Sequence, residues 1–174
     1  NTGWRIAQTT LSYERGGNTL SRVSRLQASI DRLLEVANEL RVDGTRAIDD
    51  PLIRRKIGRI YAEVEVLRYA SLRLLSKLEK GERPGPEASV SKLHYSELDK
   101  RVQEIIQEIL GPYGQQISGG DPAYAFDDPN VEYGDADTWA YHFVWSRAGT
   151  IYAGSSQIQK NIIGERVLGL PKEI

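Results

Sequence analysis

Asp50-Pro51-Leu52-Ile53-Arg54-Arg55-Lys56-Ile57-Gly58-Arg59-Ile60-Tyr61-Ala62-Glu63-Val64, continuing to Gly81, is the stretch that decides the fold. Ile53, Ile57, Ile60, Val64, Leu67, Leu74 and Leu78 recur at steps of three, four and seven, so they fall on one side of an α-helix. Asp50 can cap the first turn. Pro51 fits the first helical position, where its missing N–H costs nothing. An apolar stripe of about seven turns exceeds what most globular helices carry, and it suits a bundle of antiparallel helices.

Working outward, Leu26, Ile30, Leu33, Ala37 and Leu40 predict a preceding helix that ends near Gly44. Gly81-Glu82-Arg83-Pro84-Gly85-Pro86 breaks the chain, and Leu98, Val102, Ile105 and Ile109 predict a third helix stopped by Gly111-Pro112. Residues 112–135 are rich in Gly, Pro and Asp and have no sustained period, which predicts a long surface loop. A fourth helix is predicted from near Asp137 to before Gly154. Ser156 and Gln159 are spaced as a capping box for a last helix toward Leu168. The expected fold is all-α: an up-and-down four-helix bundle with a shorter carboxy-terminal helix appended.

Composition narrows the function. The 174 residues carry 23 basic and 24 acidic side chains, a balance that marks neither a nucleic-acid binder nor a membrane-surface protein. No apolar run approaches the roughly 20 residues of a membrane helix. The absence of cysteine removes disulfides, thiolate metal sites and a thiol nucleophile, and His94 and His142 alone make no multi-histidine metal set. No secretory signal pattern opens the chain, and a cytoplasmic location is expected. Asn1 lies directly before a helical pattern with no initiator Met, so the chain is expected to be a piece of a longer one.

Two segments carry chemistry. Near the end runs Thr150-Ile151-Tyr152-Ala153-Gly154-Ser155-Ser156-Gln157-Ile158-Gln159-Lys160-Asn161-Ile162-Ile163-Gly164-Glu165-Arg166. Near the start runs Gly3-Trp4-Arg5-Ile6-Ala7-Gln8-Thr9-Thr10-Leu11-Ser12-Tyr13-Glu14-Arg15. Taken alone, Gly154-Ser155-Ser156 need only end one helix and cap the next, and Glu14 and Arg15 need only be a solvated helix face. His94 reads as a solvated or packed residue and His142 as part of a packed aromatic segment. Tyr124, Phe126 and Tyr133 read as anchors for the long loop, or as the lining of a pocket.

Together the two segments resemble the acyl-CoA dehydrogenase family, in its carboxy-terminal helical domain. Most members carry an aromatic-Glu-Gly-Thr/Ser run whose Glu is the catalytic base. Here Ala153 holds that position, and Glu14 stands on the early helix. That reciprocal placement is similar to the isovaleryl-CoA and long-chain branches. The resemblance implies Glu14 as base, substrate contacts by Arg15, Tyr152 and Gly154, and FAD contacts by Ser155, Gln157 and Arg46. It implies α,β-dehydrogenation of an acyl-CoA to a trans-2-enoyl-CoA, with electrons passing to an electron-transfer flavoprotein, and a homo- or hetero-oligomer. Residues 1–174 would be that domain alone, without the helical amino-terminal and β-sheet middle domains, and inactive in isolation.

The likeness departs in one region. The family's Arg-x-x-Phe-Gly segment, which reaches flavin across a subunit interface, corresponds here to Arg46-Ala47-Ile48-Asp49-Asp50, with Asp49 in place of the aromatic. Ile57 stands near an expected Gln. Glu108-Ile109-Leu110-Gly111-Pro112-Tyr113-Gly114 replaces a Gln-x-x-Gly-Gly-x-Gly pattern. Acidic Asp49 and Glu108 are poor neighbours for a pyrophosphate. The alternative these departures raise is a non-catalytic subunit that completes a partner's flavin site in a heteromeric dehydrogenase.

Overall fold

The computed structural model describes residues 2–4, 6–7, 9–10, 19–82, 85–115 and 136–172. Residues 2–4, 6–7 and 9–10 are helical. The long helices that follow are α1 (Thr19–Glu39), α2 (Pro51–Glu79), α3 (Ala88–Leu110) and α4 (Ala136–Gly149). A short α5 (Ser156–Ile162) comes next and widens into a π-turn over Ile163–Val167. The four-helix architecture with a short appended helix agrees with the expectation from periodicity.

The stripe residues meet in one core. Leu26, Ile30, Leu33 and Ala37 of α1 pack with Ile53, Ile57, Ile60, Val64 and Leu67 of α2, with Leu98, Val102 and Ile106 of α3, and with Trp139 of α4. Asp50 caps α2 as predicted, accepting a hydrogen bond from the Leu52 N–H at 2.7 Å, with Pro51 at the start of the helix. Left-handed glycines end two helices: Gly81 at φ +77 and Gly111 at φ +54. Across the bundle's outer side, Lys56 reaches Glu108 at 2.6 Å, and Arg101 and Glu63 form a tight ion pair.

Two local expectations are corrected. The first helix stops at Glu39 rather than near Gly44. Arg41–Val42 (β1) and Thr45–Arg46 (β2) form a small antiparallel hairpin around Asp43 and Gly44, at φ +50 and +81. Asp-Gly with both residues left-handed is the two-residue turn that matches strand twist, and it competes with helix extension here. The capping box at Ser156 and Gln159 does not form. Ser155 is the N-cap of α5, Ser156 donates to Glu97 Oε1 at 2.7 Å, and Gln159 turns inward.

Candidate functional site

The segment from Gly149 to Ser156 is a closed loop at one end of the bundle, between α4 and α5. The Thr150, Ile151 and Tyr152 N–H groups bond back to Arg147 and Ala148 carbonyls, ending α4. The Ser156 N–H then bonds to Thr150 O at 2.9 Å and draws the two ends together. At its centre Ala153 sits at φ +54 and Gly154 at φ +93. Two consecutive left-handed residues reverse the chain sharply, and the second is far enough from the usual left-handed well to favour glycine.

Two buried side chains hold this loop from within. Lys92 of α3, only 2% exposed, donates from Nζ to Gly149 O and to Gly154 O, each at 2.9 Å. Gln159, fully buried, donates from Nε2 to Ala153 O at 3.0 Å and to Gly154 O at 3.1 Å. No Cβ fits at Gly154 without moving Gln159: an ideal one would lie 2.5 Å from Nε2. Sequence reasoning missed both roles. A signal existed for Lys92, which falls in phase with Ile106 and Leu110 on the inward side of α3, where a lysine is out of place.

Tyr152 stands partly exposed, its ring 5.8 Å from Lys92 Nζ. Gly149 and Tyr152 border a cavity of about 60 Å³ that Arg25, Ser29, Tyr95, Asp99, Gln103 and His142 also line. Burial pushes the Asp99 carboxyl up to about 6 and the His142 imidazole down to about 4. Burial also raises the Tyr95 phenol. His142 is packed against Tyr141, as its aromatic neighbours suggested. His94 is half-buried beside Glu63, and loss of solvent lowers its pKa.

The predicted site residues divide into three groups. Tyr152, Gly154, Ser155 and Gln157 come together on the loop and the first turn of α5. Ser155 accepts from the Ile158 N–H at 3.4 Å, and Gln157 is exposed. Arg46 lies at the opposite end of the bundle, beside Ile109 at the end of α3. Seventeen residues of α3 separate Ile109 from Lys92, about 25 Å along the axis, so Arg46 and the loop share no site within one chain. Glu14 and Arg15, with Tyr124, Phe126 and Tyr133, lie outside the described residues.

Residues 1–168 match the family described as "Acyl-CoA dehydrogenase, C-terminal domain". The chain belongs to the acyl-CoA dehydrogenase family. Among its relatives, acyl-CoA dehydrogenase IpdE1 of Mycolicibacterium smegmatis is 36% identical over 172 residues, covering 99% of this chain and 38% of that protein. The dehydrogenase fold recurs in the ChsE4-ChsE5 complex from Mycobacterium tuberculosis, at TM-score 0.67 and 23% identity over 87% of this chain and 36% of the other. It recurs in the FAD complex of PigA, at TM-score 0.73 and 21% identity over 97% of this chain and 39% of the other. The chain thus spans about two fifths or less of the length of the relatives it matches.

Whether the dehydrogenase domain's residues suit a flavin can be judged at each end of the bundle. At the loop, the Ser155 hydroxyl and the exposed Gln157 amide beside exposed Ile151 and Ile158 suit a flat group with polar edges. At the other end, Arg46 donates from Nε and Nη2 to both oxygens of Asp49, at 2.9 and 2.8 Å. Glu108 is held by Lys56. Arg46 already has its carboxylate, so this end does not suit a pyrophosphate. Among the described residues no helix is long and apolar enough to cross a membrane, and no acidic, histidine or cysteine cluster could hold a metal ion.

Proposed function

We propose that these residues form the carboxy-terminal domain of an FAD-dependent acyl-CoA dehydrogenase that converts an acyl-CoA to a trans-2-enoyl-CoA. The observation that carries this is the family match over residues 1–168, joined to the Tyr152-Ala153-Gly154-Ser155 loop with its left-handed Ala153 and Gly154. Ala153 brings no carboxylate to the loop, and the family resemblance makes Glu14 the base that accepts the proton from the carbon α to the thioester. Tyr152 and Gly154 lie against the thioester, Arg15 supports the acyl-CoA, and Ser155 and Gln157 hold the flavin. A bound flavin supplies the acceptor for the hydride that leaves the β carbon. Electrons pass onward to an electron-transfer flavoprotein.

The Arg46–Asp49 and Lys56–Glu108 pairs favour an oligomer in which not every flavin site is complete. The second reading, a subunit that completes a partner's flavin site, is the less favoured, since the end that would reach across the interface is the one these pairs occupy. The 174 residues by themselves are inactive, since a flavin needs cover from the remaining domains.

The test is anaerobic flavin bleaching of the full-length parent and its Glu14→Gln variant by a panel of acyl-CoA thioesters. The parent bleaches, while the variant keeps its flavin and does not. A parent without flavin, or one that no thioester bleaches, refutes the catalytic reading. Co-purification of an unlike dehydrogenase chain with such a parent would establish the second.

A further inference from the structure

We propose that Lys92 is a positioning residue for the Tyr152–Ser155 loop, acting through the two backbone carbonyls it binds. Lys92 stands on α3, 57 residues before Gly149 and 62 before Gly154, yet its Nζ donates to both carbonyls. Those carbonyls bracket the left-handed pair Ala153–Gly154. One amino group therefore sets the distance between the end of α4 and the start of α5. Gln159 adds a second pair of bonds, to Ala153 O and Gly154 O, from the α5 side.

The consequence lies in peptide geometry. The peptides are trans, so each N–H points opposite the carbonyl of the same peptide unit. With the Ala153 and Gly154 carbonyls turned onto Gln159 and Lys92, the Gly154 and Ser155 N–H groups are turned to the outer side of the loop. Tyr152 and Ser155 are fixed by the same constraint. Releasing Lys92 frees the Gly149 carbonyl, leaves the Gly154 carbonyl to Gln159 alone, and lets the loop sample other peptide orientations. Near-attack geometry is sensitive to displacements of about 1 Å.

The effect on catalysis rests on the proposed dehydrogenase function, whereas the loop geometry does not. The test is Lys92→Met in the full-length parent, which keeps most of the aliphatic stem and removes both hydrogen bonds. Hydrogen exchange reads the Tyr152 and Ser156 amides, whose bonds to Ala148 O and Thr150 O close the loop, and anaerobic flavin reduction is followed across an acyl-CoA titration. The loop amides exchange at least ~10-fold faster, while amides in the middle of α2 are unchanged. At matched flavin content, reduction at saturating acyl-CoA falls ~10-fold or more, and the half-saturating concentration moves less. A purely stabilising role would lower the melting temperature and leave the saturated rate of the folded protein alone.

A folded Lys92→Met protein with parental loop exchange overturns the clamp. Faster exchange with a parental saturated rate overturns the catalytic consequence. If the parent is bleached by no thioester, the function proposed above fails, and exchange alone judges the clamp. If Lys92→Met does not fold, nitrogen NMR of the lysine amino groups in the parent takes its place. A Lys92 amino group whose protons exchange as fast as those of surface lysines then overturns the clamp.

Discussion

Gly154→Ala attacks the loop at its most constrained residue. A Cβ there meets Gln159 Nε2 at 2.5 Å, and φ of +93 lies outside the region an alanine adopts without strain. The left-handed backbone costs about 1–2 kcal/mol for a residue with a side chain. Displacing Gln159 from the Ala153 and Gly154 carbonyls costs about 0.5–1.5 kcal/mol for each bond lost. The sum is about 2–5 kcal/mol, which for a domain of this size lowers the melting temperature by roughly 4–20 °C. Thermal circular dichroism of the 174-residue chain measures it. Gly58→Ala is the control: Gly58 lies exposed within α2, with nothing within 4 Å of an added Cβ. There the substitution stabilises by about 0.5–1 kcal/mol. If Gly154→Ala melts within about 2 °C of the parent chain, the loop is not held as described and the reasoning fails.

Other expectations follow from the core, the cap and the buried titrating groups. Leu33→Ala empties a fully buried position and costs about 2–5 kcal/mol in urea unfolding, with an unchanged slope; a cost below 1 kcal/mol would contradict the packing. Asp50→Ala removes the cap of α2 and costs about 1 kcal/mol by the same assay, where no loss would mean the cap bond is idle. His142, depressed from 6.5 to about 4, contributes stability that is present above pH 6.5 and lost as pH falls toward 4. Asp99, raised from 3.8 to about 6, contributes stability that is present below pH 3.8 and lost as pH rises through 6. The two slopes oppose between pH 4 and 6, so Asp99→Asn should expose the histidine slope, about 1.4 kcal/mol gained per pH unit. Equal pH profiles for the variant and the parent chain would refute that assignment.

The bundle was legible because helix periodicity is local. Ile53, Ile57, Ile60 and Val64 share a face whatever they pack against, and Asp50-Pro51 starts a helix through bonds made within three residues. The loop was legible as a glycine turn joined to a family likeness. The Asp43-Gly44 hairpin was missed although its signal is also local, since the apolar stripe through Leu40 outweighed it. Gln159 was assigned to a capping box by spacing alone. Its amide instead finds carbonyls five and six residues back, because the left-handed pair at Ala153–Gly154 folds them over the start of α5.

Sequence alone specified the helices, their apolar inward residues and the family, since each depends on neighbours along the chain or on a long linear match. Tertiary structure alone decided which polar groups meet. Lys92 reaches Gly149 and Gly154 only because α3 and α4 run antiparallel and bring the start of one beside the end of the other. Arg46 is kept from the loop by its place beside Ile109 at the far end of α3, while its pairing with Asp49 is local. A hydrogen bond acts over about 3 Å, whereas the sequence separations here are 57 and 62 residues, and only packing converts one into the other.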